Sequence, residues 1–145
     1  MTKDRAGRET VVHATAVAFG DRAALILGPA GSGKSALALA LMALGAGLLA
    51  DDRTRLELRG GRVFAGAPAG LPALIEARGV GLLRARLCPP APLVLAVDLT
   101  VSATARLPPR RSITLLGCAV DLVHAVATPH FPAAIRQYIL HGREA

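Results

Sequence analysis

The 145-residue chain has no tryptophan, one tyrosine and three phenylalanines. A core without large aromatics must be assembled from small aliphatics, and the 52% hydrophobic content supplies enough of them. The same shortage speaks against nucleic-acid binding, where bases stack on aromatic rings. Lysine is scarce too: 15 arginines stand against two lysines, Lys3 and Lys34. The two cysteines, Cys88 and Cys118, have neither metal-binding nor redox spacing and are expected to be buried or idle thiols in a reducing cytoplasm. The longest uncharged stretch, Ser35–Ala50, falls short of the ~20 residues a membrane span requires. Lys34 and Asp51 flank it, so it is expected to be a buried helix followed by a strand. Met1–Thr10 is polar and charged, without the apolar segment of a signal peptide.

A chain of this length is expected to form one domain. Its formal charge of +7 suggests an anionic partner. The arginines are scattered, with Arg110-Arg111 the only adjacent pair, so neither a nucleic-acid stripe nor a membrane-binding patch is expected.

The positive signal is Gly28-Pro29-Ala30-Gly31-Ser32-Gly33-Lys34-Ser35, which fits the phosphate-loop pattern G-x-x-x-x-G-K-[ST]. Gly28, Gly31 and Gly33 would let successive amides turn inward around an anion. Lys34 would place a point charge on the β- and γ-phosphates, and Ser35 a hydroxyl on Mg²⁺. A sequence that uses arginine almost everywhere keeps its one internal lysine here, where a compact ammonium is needed and a planar guanidinium would not serve. Context agrees: Ala23–Leu27 before the loop looks like a strand, and Ala36–Leu41 after it like a helix that points its positive dipole end at the anion.

Val11–Phe19 is predicted as a strand, Gly20-Asp21 as a two-residue turn and Arg22–Leu27 as the returning strand. Paired residue numbers then sum to 41, which sets His13 opposite Gly28. A histidine there is either a functional group beside phosphate or a strand residue satisfying a neighbour. The helix beginning at Ser35 should end near Gly45. Gly47–Ala50 should form a strand parallel to Arg22–Leu27, placing Asp51-Asp52 at the carboxyl edge with the phosphates. Side-chain alternation allows at most one of the two to face the ligand squarely. Thr54–Arg59 and Arg62–Ala65 form a second hairpin about Gly60-Gly61. Leu93–Val97 followed by Asp98 has the form of a strand-plus-acid metal motif, a pattern that also arises by chance. Ile113–Leu116 and Val120–Val126 are further expected strands, and Pro132–His141 a closing helix.

The order of these pieces resembles bacterial HPr kinase/phosphorylase, which phosphorylates a serine of the phosphocarrier HPr. The matching residues are Val12-His13-Ala14, the loop Gly28–Ser35, Leu48-Leu49-Ala50-Asp51-Asp52 and Ala105-Arg106-Leu107. The segment Leu74-Ile75-Glu76-Ala77-Arg78-Gly79-Val80-Gly81-Leu82 looks like the family's signature. The resemblance covers about residues 10–110. It implies an α/β phosphate-loop domain over residues 10–145, after a flexible tail over 1–9. Its mixed sheet carries hairpins, as in the phosphoenolpyruvate-carboxykinase-like fold of HPr kinases.

The resemblance also implies the roles. His13, Lys34, Asp52 and Arg106 would be catalytic, with Asp52 the base for the substrate serine and Arg106 steadying the phosphoryl group. The loop Gly28–Ser35 would bind ATP, and Ser35 and Glu76 would ligate Mg²⁺. An HPr-like carrier would be the partner in the cytoplasm, and a hexamer the assembly. Phosphoryl transfer is mostly positioning and electrostatics, so this set is sufficient in kind.

Three departures stand out. Only about a dozen residues precede His13, so the family's N-terminal domain is expected to be missing; such short forms, found among alphaproteobacteria, look tied to a regulatory phosphotransferase system. Thr128-Pro129-His130-Phe131-Pro132 has no arginine where the family keeps an arginine- and proline-rich loop, which speaks against reverse phosphorolysis while a bifunctional enzyme stays open. Ala36 follows the loop serine where an acid is common. A small-molecule phosphate-loop kinase and a non-catalytic ATP sensor are the alternative readings.

Overall fold

The computed structural model describes residues 8–145. Eleven strands and two helices follow in the order β1 (Glu9–Val12), β2 (Ala14–Phe19), β3 (Arg22–Leu27), α1 (Lys34–Ala43), β4 (Gly47–Ala50), β5 (Thr54–Arg59), β6 (Arg62–Gly66), β7 (Leu74–Ala77), β8 (Gly81–Arg84), β9 (Ala91–Ser102), β10 (Arg111–Leu115), β11 (Cys118–Ala125) and α2 (Phe131–His141). Nine strands make one mixed sheet along the path β1-β5-β6-β9-β3-β2-β4, with β11 and then β10 added beside β9. β7 and β8 form a separate hairpin.

The β2–β3 hairpin has the expected register, Phe19 opposite Arg22 and Ala14 opposite Leu27. β2 and β3 are almost wholly buried, so they are near-continuous apolar runs, as expected for strands covered on both faces. Alternation sorts their residues. Val17, Ala24 and Ile26 join the cluster under the helices with Leu37, Leu41, Ile135 and Ile139. Ala14, Ala16, Ala18, Ala23 and Leu25 join the opposite cluster with Leu49, Leu56 and Val63. Small alanines on that second face let the β5–β6 hairpin lie close.

The expected single strand over Val11–Phe19 is two strands. The chain bends at His13 because β1 pairs antiparallel with β5 while β2 is held between β3 and β4. Glu9, the last residue of the stretch expected to be a tail, opens β1 opposite Glu57; residues 1–7 of that stretch lie outside the described residues.

The helix starts at Lys34, one residue before its expected start. Its end is as expected: Gly45 takes φ 110, and the amides of Gly45 and Ala46 return to the carbonyls of Met42 and Leu41. That is the paired bonding by which glycine closes a helix. β4 runs antiparallel to β2, and so parallel to β3, but with β2 between them. β9 continues through Asp98 to Ser102, so that acid does not end a strand as the metal motif would require; its Oδ1 accepts from the Thr100 amide at 2.8 Å.

Against the helix face, α2 is fastened by a hydrogen bond from Arg22 Nε to the Ile139 carbonyl and by Arg136 stacked 5.6 Å from the Phe19 ring centre. Cys88 and Cys118 are free, half-buried thiols. Among the described residues, no helix is long and apolar enough to cross a membrane.

Candidate functional site

β3, β4, β9 and β11 all run in one direction, and the turn that follows β3 opens at their common carboxyl edge. Gly28 leaves the strand with φ 154, and a Cβ placed there would stand 2.3 Å from Ser32 Oγ. Only glycine lets the turn close this tightly. The turn delivers the chain into α1 through Gly33, in left-handed conformation, and no side chain caps the helix. The first amides of α1 therefore have no side-chain acceptor. Ser32 Oγ is buried with no hydrogen-bond partner, which costs about 1–3 kcal/mol unless a ligand atom satisfies it.

Lys34 is buried to 8% exposure, and its ammonium folds back onto the Gly28 carbonyl at 2.7 Å and the Pro29 carbonyl at 3.2 Å. A buried cation satisfied only by neutral carbonyls is matched to an incoming anion. The next residue, Ser35, donates to Asp51 Oδ1 at 2.8 Å.

Asp51 is the hub of the site. Its Oδ1 also accepts from Thr15 Oγ1 at 2.9 Å, and its Oδ2 from the Glu76 amide at 3.2 Å. One carboxylate thus joins β2, the start of α1, the end of β4 and β7. Asp52 follows in the left-handed conformation, with φ 68. Its amide donates to Thr15 Oγ1 at 3.2 Å. Of the two aspartates, the first is therefore bound into the frame and the second stands exposed.

A cleft of about 590 Å³ lies over these groups, walled by Gly31, Gly33, Lys34, Ser35, Asp51, Asp52, Glu76 and Arg78 among others. Such a volume suits a nucleotide-sized ligand. Glu76 and Arg78 enter it from the β7–β8 hairpin, which turns through Arg78–Val80 with Val80 N–H bonded to the Ala77 carbonyl at 2.9 Å.

Of the expected site residues, Gly28, Pro29 and Ser32 of the turn and the two expected catalytic residues His13 and Arg106 do not form part of this wall. His13 is exposed at the bend before Ala14, and the β2–β3 pairing ends one residue after it, at Ala14 opposite Leu27. Arg106 is exposed in the bend between β9 and β10. Asp51 as the hub and Thr15 as its anchor were not singled out in the sequence. Thr15 did leave a signal, as the lone polar residue of the strand Ala-Thr-Ala-Val-Ala-Phe.

Among the described residues, no three His, Cys, Asp or Glu side chains cluster as a preformed metal site. The donor set nevertheless fits magnesium, which takes one or two carboxylates and completes its octahedron with water and substrate phosphate. Ser35 Oγ, Glu76 and Asp51 are the oxygens available.

A family model described as HPr Serine kinase C-terminal domain matches residues 4–88. The chain belongs to that family.

Relatives match about half of the chain. A protein named HPr kinase/phosphorylase from Bordetella pertussis is 42% identical over 78 residues, covering 53% of this chain and 25% of its own length. One of the same name from Mycoplasmopsis pulmonis is 38% identical over 76 residues, 52% of this chain and 25% of its own. The match thus spans about a quarter of the length of these relatives. The structure of the Hpr(Ser) kinase/phosphatase from Coxiella burnetii superposes with a TM-score of 0.75 at 20% identity, covering 90% of this chain and 88% of that one. The mixed α/β fold of this family member is therefore the fold of that HPr kinase structure, beyond the matched 4–88 segment.

Proposed function

We propose that the chain is an ATP- and Mg²⁺-dependent kinase that phosphorylates a serine of an HPr-like phosphocarrier protein and so regulates a phosphotransferase system in the cytoplasm. The observation that carries this reading is the gathering of Lys34, Ser35, Asp52 and Glu76 around one cleft beside an uncapped helix start. The family and the names of its relatives support the choice of acceptor.

Each residue has a physical task. The amides of Gly31, Gly33 and Lys34 and the Ser32 hydroxyl hold phosphate oxygens, while the Ser32 amide stays on the Pro29 carbonyl. Lys34 leaves the Gly28 and Pro29 carbonyls for the β- and γ-oxygens, exchanging neutral acceptors for charged ones. Ser35 Oγ and Glu76 would hold Mg²⁺, and Ser35 can keep donating its hydrogen to Asp51 while its lone pair faces the metal. When bound, Mg²⁺ neutralises charge on the phosphate oxygens. Asp52 takes the proton from the acceptor serine as its oxygen forms the new bond to phosphorus and the bridging oxygen leaves with ADP. His13 is assigned a place near the transferred group, although it stands outside the wall. Arg106 is assigned the charge on that group; standing outside the wall, it must approach with its bend. A hexamer belongs to the same proposal.

The test is to mix the purified chain with an HPr carrier, ATP and Mg²⁺ and to map phosphate by mass spectrometry. One phosphate on a serine is expected. A folded chain that binds ATP and transfers nothing is a sensor, and the kinase reading fails.

A further inference from the structure

We infer that Thr15 is a positioning residue: its hydroxyl sets the backbone turn that presents Asp52 to the cleft and holds Asp51 for Ser35. The inference rests on the kinase reading for what Asp52 does, but the placement stands on geometry alone.

Thr15 has no solvent exposure, and a threonine hydroxyl can donate one hydrogen while accepting others. Here it does both. It donates to Asp51 Oδ1 at 2.9 Å and accepts from the Asp52 amide at 3.2 Å. It is therefore bonded to two successive residues at the point where β4 ends. That point is strained: Asp52 holds φ 68, a region that costs a non-glycine residue about 1 kcal/mol and persists only where the surroundings impose it. The carbonyl of Asp51 accepts from the Arg53 amide at 2.8 Å, which closes the turn from the other side.

The rest of the carboxylate is committed as well, Oδ1 to Ser35 and Oδ2 to the Glu76 amide. Without the Thr15 hydroxyl the Asp52 amide loses its acceptor and Asp51 loses one donor. The turn is then free to relax towards negative φ, which swings the Asp52 carboxylate away from its direction into the cleft. The phosphate turn meets these bonds only through Ser35, whose own hydrogen bond to Asp51 Oδ1 the substitution does not remove, so nucleotide binding should survive.

Thr15→Val keeps the shape and removes the hydroxyl; Thr15→Ser keeps the hydroxyl. Two readouts separate this inference from the kinase reading. The first needs no activity: amide exchange in the full, nucleotide-free chain. Asp52 N–H should exchange at least tenfold faster in Thr15→Val than in wild type, with Thr15→Ser close to wild type. The second is kinetic, with HPr and ATP: kcat should fall tenfold or more in Thr15→Val, KM for ATP should stay within threefold, and Thr15→Ser should recover most of the rate. Should Thr15→Val fail to fold, Thr15→Ala beside Thr15→Ser makes the same comparison. Unchanged exchange at Asp52, or a loss of ATP affinity equal to the loss of rate with no recovery by serine, overturns the inference. A wild-type chain without transfer overturns the kinase reading instead and leaves the exchange result to judge Thr15.

Discussion

Ser35 donates its hydroxyl hydrogen to Asp51 Oδ1 across 2.8 Å, tying the first turn of α1 to the end of β4. The bond joins residues that are separated by a whole helix and a strand, and it is part of what holds the cleft at the carboxyl edge. Asp51 accepts from three donors, so an asparagine amide there would turn an N–H towards a donor or leave one donor unmet.

Asp51→Asn should therefore destabilise the fold by about 2 kcal/mol, the usual scale for hydrogen bonds to a charged group. Urea unfolding monitored by circular dichroism measures it. A change below about 0.5 kcal/mol, the range of ordinary surface substitutions, would mean the carboxylate is not the hub described here.

Asp52→Asn should act differently from its neighbour, because Asp52 is exposed and its side chain joins no part of the frame. Phosphoryl transfer to the carrier should drop by on the order of 10² or more, the scale of a lost general base, with ATP affinity within about threefold of wild type. Normal rates in this variant would remove Asp52 from the base role.

Gly28→Ala tests the turn. The added Cβ would sit 2.3 Å from Ser32 Oγ on a backbone at φ 154, so the turn must open. The fold should lose on the order of 1–3 kcal/mol, and the thermal stabilisation by ATP should disappear. Melting curves with and without ATP report both.

The pH dependence of α2 can be forecast from Tyr138. Burial first, then its hydrogen bond to the Asp121 carboxylate at 3.0 Å, raises its phenol above the ordinary value. A raised pKa means the folded state favours the protonated form. That contribution is whole below the unfolded value of ~10 and fades as pH rises through the folded value. Tyr138→Phe should cost on the order of 1 kcal/mol or less at pH 8, and its gap to wild type should shrink above pH 10. A gap that widens at high pH would contradict the sign.

Gly20-Asp21 dictated the β2–β3 register because a two-residue turn leaves no slack, and that register runs from Phe19 opposite Arg22 to Ala14 opposite Leu27. The glycines, Lys34 and Ser35 announced the turn because few other chemistries need them together. The resemblance assigned Asp52 as the base, but the role of Asp51 was not readable. It depends on a left-handed residue after β4 and on a threonine 36 residues upstream, and neither leaves a local pattern. The break at His13 was hidden for a related reason: β-branched alternation looks the same whether a strand keeps one partner or exchanges it for another. The β7–β8 hairpin was hidden by its own apolar residues, Val80 and Leu82, which stand exposed at 76% and 65%.

The most direct measurement of the central claim is a structure of the chain with Mg²⁺ and a non-hydrolysable ATP analogue. The account predicts phosphates inside the turn of residues 28–35, with Lys34 Nζ released from the Gly28 and Pro29 carbonyls onto the β- and γ-oxygens. A nucleotide seated elsewhere, or bound while Lys34 keeps both carbonyls, would contradict it.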